Sequence, residues 1–162
     1  MADRDAVHQR QRHRARELAM HGLYERQLSK RADREIAASL LTDPAHDDGD
    51  DVQSEPAPEP DRRYFDELWR GVTSDYESLL AELAPHVDRN VDALSPIERA
   101  VLVIGAWELA HRLDIPYRVV INEAVELAKR YGGTDGYKFV NGVLDKVAAR
   151  IRAVEIRAQH PR

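Results

Sequence analysis

The fold class of this chain is decided by residues 95–113, which read SPIERAVLVIGAWELAHRL. Ser95 and Glu98 have the spacing of a helix-capping box, and Pro96 stands at the first helical position, where no backbone N–H is needed. From Ile97 onward, apolar residues occupy nearly every side of the helix, which is typical of a helix surrounded by others. The stretch therefore predicts the central helix of a bundle.

The residues before this stretch predict three more helices. Apolar residues with the 3.6-residue period predict a first helix over residues 10–29 and a shorter one that is capped by Asp33 and ends before Pro44. The clearest pattern predicts one continuous helix that begins near Asp61 as its cap and ends before Pro85.

The residues after it predict two helices. Asp114-Ile115-Pro116 interrupts the pattern, and the helix that follows is expected to end at Gly132-Gly133 in left-handed backbone geometry. The last helix is predicted to begin near Asp135, and residues 153–162 are expected to fray. No stretch alternates with period two, so we predict an all-α fold without a sheet.

The charge of the chain is unevenly distributed, although the net charge is −5. Residues 1–34 carry nine Lys or Arg and five Asp or Glu, so the amino end is basic, and we expect residues 1–9 to form a flexible basic arm. Residues 43–61 carry eight acidic residues, four prolines and no Lys or Arg, which predicts a disordered acidic insertion. A basic end is compatible with a nucleic-acid partner.

Several kinds of chemistry lack the residues they require. The chain has no cysteine, its seven histidines show no metal-ligand spacing, and residues 132–136 lack the Gly-Lys-Ser/Thr end of a phosphate loop. We therefore expect no catalytic site, no metal and no cofactor. Without an apolar run long enough for a signal peptide or a membrane span, we expect a soluble, cytoplasmic protein.

The candidate binding residues are arginines and aromatics. The arginines at 10, 12, 14 and 16 crowd the predicted start of the first helix, where the helix dipole disfavours cations. They are interpreted either as a solvated arm or as phosphate contacts. Tyr24 and Phe139, which follows Lys138, are either core or boundary aromatics or stacking surfaces for bases. Glu98 either caps its helix or meets another protein.

Four stretches carry a resemblance to a known family. They are RHRARELA (12–19) followed by Gly22-Leu23-Tyr24, SPIERAVL (95–102) with WEL (107–109), IPYRVVINEAVELAK (115–129) and KFVNGVLD (138–145). In this order, over about residues 10–152, the chain resembles the NusB family of bacterial transcription antitermination factors. The resemblance implies a compact all-α domain over these residues, with about seven helices in two small subdomains.

The resemblance also implies partners and site residues. The chain would bind single-stranded boxA RNA of ribosomal RNA leader transcripts together with NusE, a small-subunit ribosomal protein, in a complex with NusA, NusG and RNA polymerase. By position, the RNA-contacting residues would be Arg12, His13, Arg14, Arg16, Tyr24, Lys138 and Phe139, and Glu98 would face NusE. Loss of Arg14 or Arg16 is then expected to weaken RNA binding and to lower its salt slope by about 0.7.

Two features depart from the family pattern. His13 stands where the family usually has arginine, and it carries only part of a charge at neutral pH. The acidic insertion, residues 43–61, is longer than the family predicts, and we hypothesise that it competes with RNA for the arginines. Deletion of residues 45–59 should then raise RNA affinity at low salt, and an equal or weaker affinity would contradict the hypothesis.

Two other classes of function remain as alternatives. The first is a helical adaptor that binds only proteins or forms a homodimer, with an incidental basic arm. The second is an enzyme, because NusB-like domains also occur fused to ribosomal RNA methyltransferases. The chain length and the absence of a cofactor-binding fingerprint argue against the enzyme.

Overall fold

A computed structural model describes residues 2–42 and 57–160 of the chain. Within these ranges the chain is helical, with eight α-helices and two short 3-10 helices at Ala84–His86 and Val91–Ala93. It divides into two compact units, one reaching to Thr73 and the other beginning at Ser74. The predicted all-α class with two small subdomains is confirmed, whereas most of the predicted acidic insertion lies outside the described residues.

The first unit contains α1 (Ala2–Leu28), α2 (Asp33–Thr42) and α3 (Arg62–Ser74). Trp69 of α3 joins all three helices. Its indole N–H donates to the carbonyl of Asp33 at 3.0 Å, at the start of α2. A Cβ at Gly22 of α1 would lie 2.6 Å from the indole ring, so the close approach of α1 and α3 requires glycine there.

The start of α1 differs from the prediction. The helix begins at Ala2, whereas the sequence pattern predicted a start near residue 10 and a flexible arm before it. Residues 2–10 are exposed, so they carry no apolar period that could have revealed the helix. The helix dipole disfavours cations mainly in the first turn, and residues 10–16 lie beyond the first turn of α1. The arginines there are therefore not destabilised by the dipole.

The predicted helix from Asp61 to Pro85 is two helices. Asp61 caps α3 as predicted, since its carboxylate accepts a hydrogen bond from the backbone N–H of Tyr64 at 3.0 Å. The chain then leaves helical geometry at Asp75, where ψ is 15°, before α4 (Tyr76–Leu83) begins. The apolar period continues across this break, so periodicity alone could not locate it.

The second unit is built around α5 (Pro96–His111), with α6 (Tyr117–Tyr131) and α7 (Gly136–Ile151) packed against it. Every residue of α5 from Ala100 to Leu109 is buried, which confirms the prediction of a central helix. The predicted cap is also present, because Ser95 Oγ accepts a hydrogen bond from the Glu98 N–H at 3.2 Å.

The turn between α6 and α7 has a different geometry from the one predicted. Gly132 is extended, with φ −84° and ψ 174°, and the left-handed residue is Asp135, with φ 64°. The prediction of left-handed glycines at 132 and 133 is therefore wrong. Gly132 is required for another reason, since a Cβ there would lie 2.5 Å from the carbonyl oxygen of Ala128.

The carboxyl end is helical where fraying was predicted. Residues Ala153–Gln159 form α8. The preceding Arg152 is 3% exposed and donates to the carbonyls of Leu109 at 2.8 Å and Ile115 at 3.0 Å, so it satisfies the end of α5. Its guanidinium also pairs with Glu155 at 2.6 Å. The carbonyls of Leu109 and Ile115 lie 43 and 37 positions before Arg152, so the contacts have no signature in local sequence.

Candidate nucleic-acid interface

Two of the predicted arginines share one aromatic ring in the first unit. Arg12 and Arg16 lie one turn apart on α1, so they are on the same face. The Arg12 guanidinium carbon is 4.9 Å from the centre of the Tyr64 ring, and that of Arg16 is 5.2 Å from it. Tyr64 is 2% exposed, so the ring serves as a fixed support for both cations.

The backbone holds this arrangement in register. Asp61 donates its N–H to the carbonyl of Gln11 at 3.0 Å, and its side chain caps α3 just before Tyr64. The first turn of α3 is therefore attached to α1 beside Arg12. Tyr64 could not be predicted from the sequence, because its contact with the arginines joins residues about fifty positions apart.

Burial divides the arginine series. Arg12 is half-buried, whereas Arg14 is 9% and Arg16 is 4% exposed. Arg14 Nη1 pairs with the carboxylate of Glu17, which is itself buried. In this conformation Arg14 and Arg16 present little surface to a ligand, and their guanidinium groups have roles within the fold.

The other two predicted residues of this unit lie at different distances from the Tyr64 ring. His13 is half-buried and adjacent to Arg12 on α1. Tyr24 is 40% exposed, but it lies twelve residues further along the same helix, about 18 Å from Arg12 along the axis. The structure therefore groups Arg12 and His13 and leaves Tyr24 as a separate exposed aromatic.

Lys138 and Phe139 lie in the first turn of α7, in the second unit. Lys138 is exposed, and its ammonium group is 3.3 Å from the carboxylate of Asp135, with both side chains 65% exposed. The half-buried ring of Phe139 lies 4.8 Å from the guanidinium carbon of Arg89, a residue that the sequence analysis did not identify. Lys138 is therefore itself an exposed cation, and Phe139 has the exposed cation of Arg89 over its ring.

Glu98 lies next to this turn. A Cβ on Gly136 would be only 3.0 Å from the Glu98 carboxylate, so the side chain rests against the first residue of α7. Glu98 is half-buried. The structure thus brings the predicted partner-binding carboxylate against the turn of α7 that holds Lys138 and Phe139, although these residues are 40 and 41 positions from Glu98 in the chain.

Two further observations concern the part of the chain that the structure describes. Over residues 2–42 and 57–160, no three His, Cys, Asp or Glu side chains come together in a way that could hold a metal ion. None of the helices in those ranges combines the length and the apolar character needed to cross a membrane.

Comparison with known proteins identifies the family. The NusB family model matches residues 13–149. The transcription antitermination protein NusB of Paraburkholderia phymatum is 50% identical over 147 residues, which cover 91% of this chain and 94% of the relative. That of Ralstonia nicotianae is 49% identical over 148 residues, covering 91% and 88%.

Solved structures agree with this result. The structure of T. maritima NusB matches with a TM-score of 0.70 and 26% identity, covering 85% of this chain and 89% of that one. A chain in the crystal structure of the antitermination factors NusB and NusE in complex with dsRNA matches with a TM-score of 0.69 at 24% identity, covering 87% and 98%, which shows a shared fold. The resemblance found in the sequence is confirmed: this chain belongs to the NusB family of transcription antitermination proteins.

Proposed function

We propose that this protein binds the boxA element of ribosomal RNA leader transcripts together with NusE and acts as a transcription antitermination factor. The observation that carries the proposal is the near-complete match to transcription antitermination proteins, at 50% identity over 91% of the chain. The solved complex of NusB and NusE with dsRNA, which shares the fold, supports RNA and NusE as partners.

The RNA contacts are proposed at the predicted residues, with roles divided by exposure. Arg12 on α1 and Lys138 on α7 supply positive charge to phosphates, which accounts for most of the sequence-independent affinity for single-stranded RNA, and His13 beside Arg12 adds a hydrogen bond or a partial charge. Tyr24 and Phe139 offer aromatic faces to unstacked bases. Because Arg14 and Arg16 are buried, we propose that they act mainly by stabilising the arginine-rich segment of α1, residues 10–16.

The protein partners are proposed on the second unit. Glu98 is proposed to face NusE, and its side chain rests against the first residue of α7. This position supports a NusE contact near the proposed RNA residues Lys138 and Phe139. The assembled pair then joins NusA, NusG and RNA polymerase on the transcript. This role needs neither a cofactor nor an enzymatic step, and it belongs in the cytoplasm, where bacterial transcription takes place.

The test is fluorescence-anisotropy binding of a labelled boxA-like single strand, a scrambled strand of the same composition and a duplex. Each is titrated over a salt series with and without purified NusE. We expect the boxA strand to bind best, more tightly with NusE, and with a steep salt dependence.

The other outcomes are informative. Equal binding of boxA and scrambled strands with NusE present would contradict the proposed specificity. Preference for the duplex would contradict the single-strand proposal. Absence of RNA binding, together with a concentration-dependent rise in mass, would favour the protein-binding adaptor or the homodimer.

A further inference from the structure

Tyr137 lies between the two lysines nearest to the turn that joins α6 and α7. Its ring centre is 5.1 Å from the ammonium nitrogen of Lys129, in the last turn of α6, and 5.9 Å from that of Lys138. The ring itself is half-buried and both lysines are exposed. One aromatic ring is therefore flanked by cations from two different helices.

Phe139, in the same turn of α7, also has a cation over its ring. Phe139 is half-buried, with the exposed guanidinium of Arg89 over its ring at 4.8 Å. Two residues of one helical turn, at positions 137 and 139, thus each present an aromatic ring with a cation beside it. This combination of aromatic faces and cations is the one that single-stranded nucleic acids use for stacking and phosphate contact.

The cations around these rings are weakly committed to protein partners. Lys138 pairs with Asp135, and Arg89 pairs with Asp88 at 3.4 Å, but each of these side chains is at least 51% exposed. Exposed ion pairs contribute little to stability, so their exchange for an RNA phosphate costs little. The same cations can therefore move off the ring faces and contact the backbone of a bound strand.

From this geometry we infer that Tyr137, together with Lys129, is a further base-stacking site for single-stranded RNA. Tyr137 lies in the same first turn of α7 as the proposed contacts Lys138 and Phe139, but two positions before Phe139, so its ring faces another side of the helix, toward Lys129 of α6. The inference rests on the proposed RNA binding, and it adds a residue pair that the four family motifs of the sequence did not assign to RNA. The alternative is that the two lysine stems merely cover an apolar ring.

The test compares Tyr137→Leu, which removes the aromatic face but keeps an apolar side chain, with Tyr137→Phe, which keeps the ring. Binding of the boxA strand is measured by anisotropy, and urea unfolding verifies that each variant is folded. We expect Tyr137→Leu to weaken binding about fivefold or more and Tyr137→Phe to stay within about twofold of the unmodified protein.

Charge is tested with a matched pair of variants. Lys129→Ala removes the exposed lysine of α6 that lies beside Tyr137. Lys146→Ala removes an exposed lysine of α7 that lies more than two turns after Tyr137. We expect Lys129→Ala to lower the salt slope by about 0.7, and Lys146→Ala to leave it unchanged. Equal effects of the two variants would show that net charge acts without a site at Tyr137.

A spectroscopic measurement does not depend on affinity. In Tyr137→Trp, stacking of a base on the new indole should quench its fluorescence, whereas Trp69 and Trp107 are 5% and 6% exposed and provide the background measured in the unmodified protein. If the unmodified protein binds RNA but Tyr137→Leu binds equally and Tyr137→Trp is not quenched, this inference alone is overturned. If the unmodified protein binds no RNA, the proposed function fails first and this inference with it.

Discussion

The arginine-rich segment of α1 (residues 10–16) and the start of α7 differ in how their cations are placed: most of the first are buried or half-buried, and those of the second are exposed. On α1 the arginines are dense in the sequence, yet Arg14 and Arg16 are 9% and 4% exposed and are engaged with Glu17 and Tyr64. At the start of α7 positive charge is sparse, but Lys138 is 65% exposed. The number of cations in a sequence segment therefore does not measure the positive charge that a partner can reach.

This difference has an energetic reason. A buried ion pair is costly to break, because the remaining charge stays in a medium of low polarity. An exposed pair in water is screened and contributes little. The buried arginines of α1, Arg14 and Arg16, are thus expected to act first on stability, and the lysines near the start of α7 first on binding.

The largest effect is expected from Arg14→Ala. Removal of the guanidinium deletes the ion pair that Arg14 makes with the buried Glu17, which should lower the free energy of unfolding by about 3 kcal/mol. Urea denaturation measures this value. Arg10→Ala removes an exposed arginine one turn earlier and should change stability by less than about 0.5 kcal/mol. Equal effects of the two substitutions would remove the distinction between buried and exposed arginines.

Glu155 extends the comparison to a carboxylate with internal partners. Burial alone would raise its pKa, but the hydrogen bond from the Tyr117 N–H and the Arg152 guanidinium together lower the pKa below its ordinary value. A lowered pKa stabilises the fold above the unfolded pKa of about 4.3, and this contribution is lost as the pH falls through the folded pKa.

Glu155→Gln is therefore expected to cost about 1 kcal/mol of stability at pH 7, and the difference should shrink below about pH 4. Urea unfolding at both pH values measures it, and Glu126→Gln, on the exposed side of α6, serves as the control. A difference that persists unchanged at low pH would show that the charge of Glu155 is not involved.

Tyr64 tests whether internal contacts on α1 influence the binding surface. Tyr64→Leu removes the ring beside Arg12 and Arg16 and should weaken boxA RNA binding about threefold to tenfold, because Arg12 loses its support. Tyr64→Phe keeps the ring and should retain most of the affinity. RNA anisotropy on folded variants measures both, and a Leu variant that binds as well as the Phe variant would contradict a positioning role.

The smallest effect on the fold is expected from Lys138→Ala. Its exposed pair with Asp135 contributes little, so the free energy of unfolding should change by less than about 0.5 kcal/mol. The salt slope of RNA binding should nevertheless fall by about 0.7, as for one lost phosphate contact. If the free energy of unfolding falls while the salt slope stays the same, Lys138 acts on stability as the buried arginines of α1 do. The proposed difference between the two regions would then be wrong.

Much of the fold could be predicted because helices are local structures. The apolar period and the caps at Asp61 and Ser95 predicted α3 and α5, since a period of 3.6 residues and a capping hydrogen bond both join near neighbours. The same reasoning missed the break at Asp75 and the helical residues before position 10. In the first case the period continues across the break, and in the second there is no buried face to mark the helix.

The candidate site could be predicted only in part. The motifs at 12–19 and 138–145 identified Arg12, Lys138 and Phe139 by family resemblance, and those assignments remain predictions that RNA binding will test. Neither the support of Arg12 by Tyr64 nor the pair of Lys129 with Tyr137 could be predicted, because each joins residues of different helices through packing.

By itself, the sequence determined the helical class, the central helix and the family, because these depend on local periodicity and on ordered motifs. Only the tertiary structure decided which cations are available to a partner. Burial of Arg14 and Arg16, the closure of the α5 end by Arg152 and the grouping of Glu98 with the start of α7 all depend on contacts between distant residues. Such contacts follow from how the helices pack, and the free energy of a charge depends on the surroundings that packing creates.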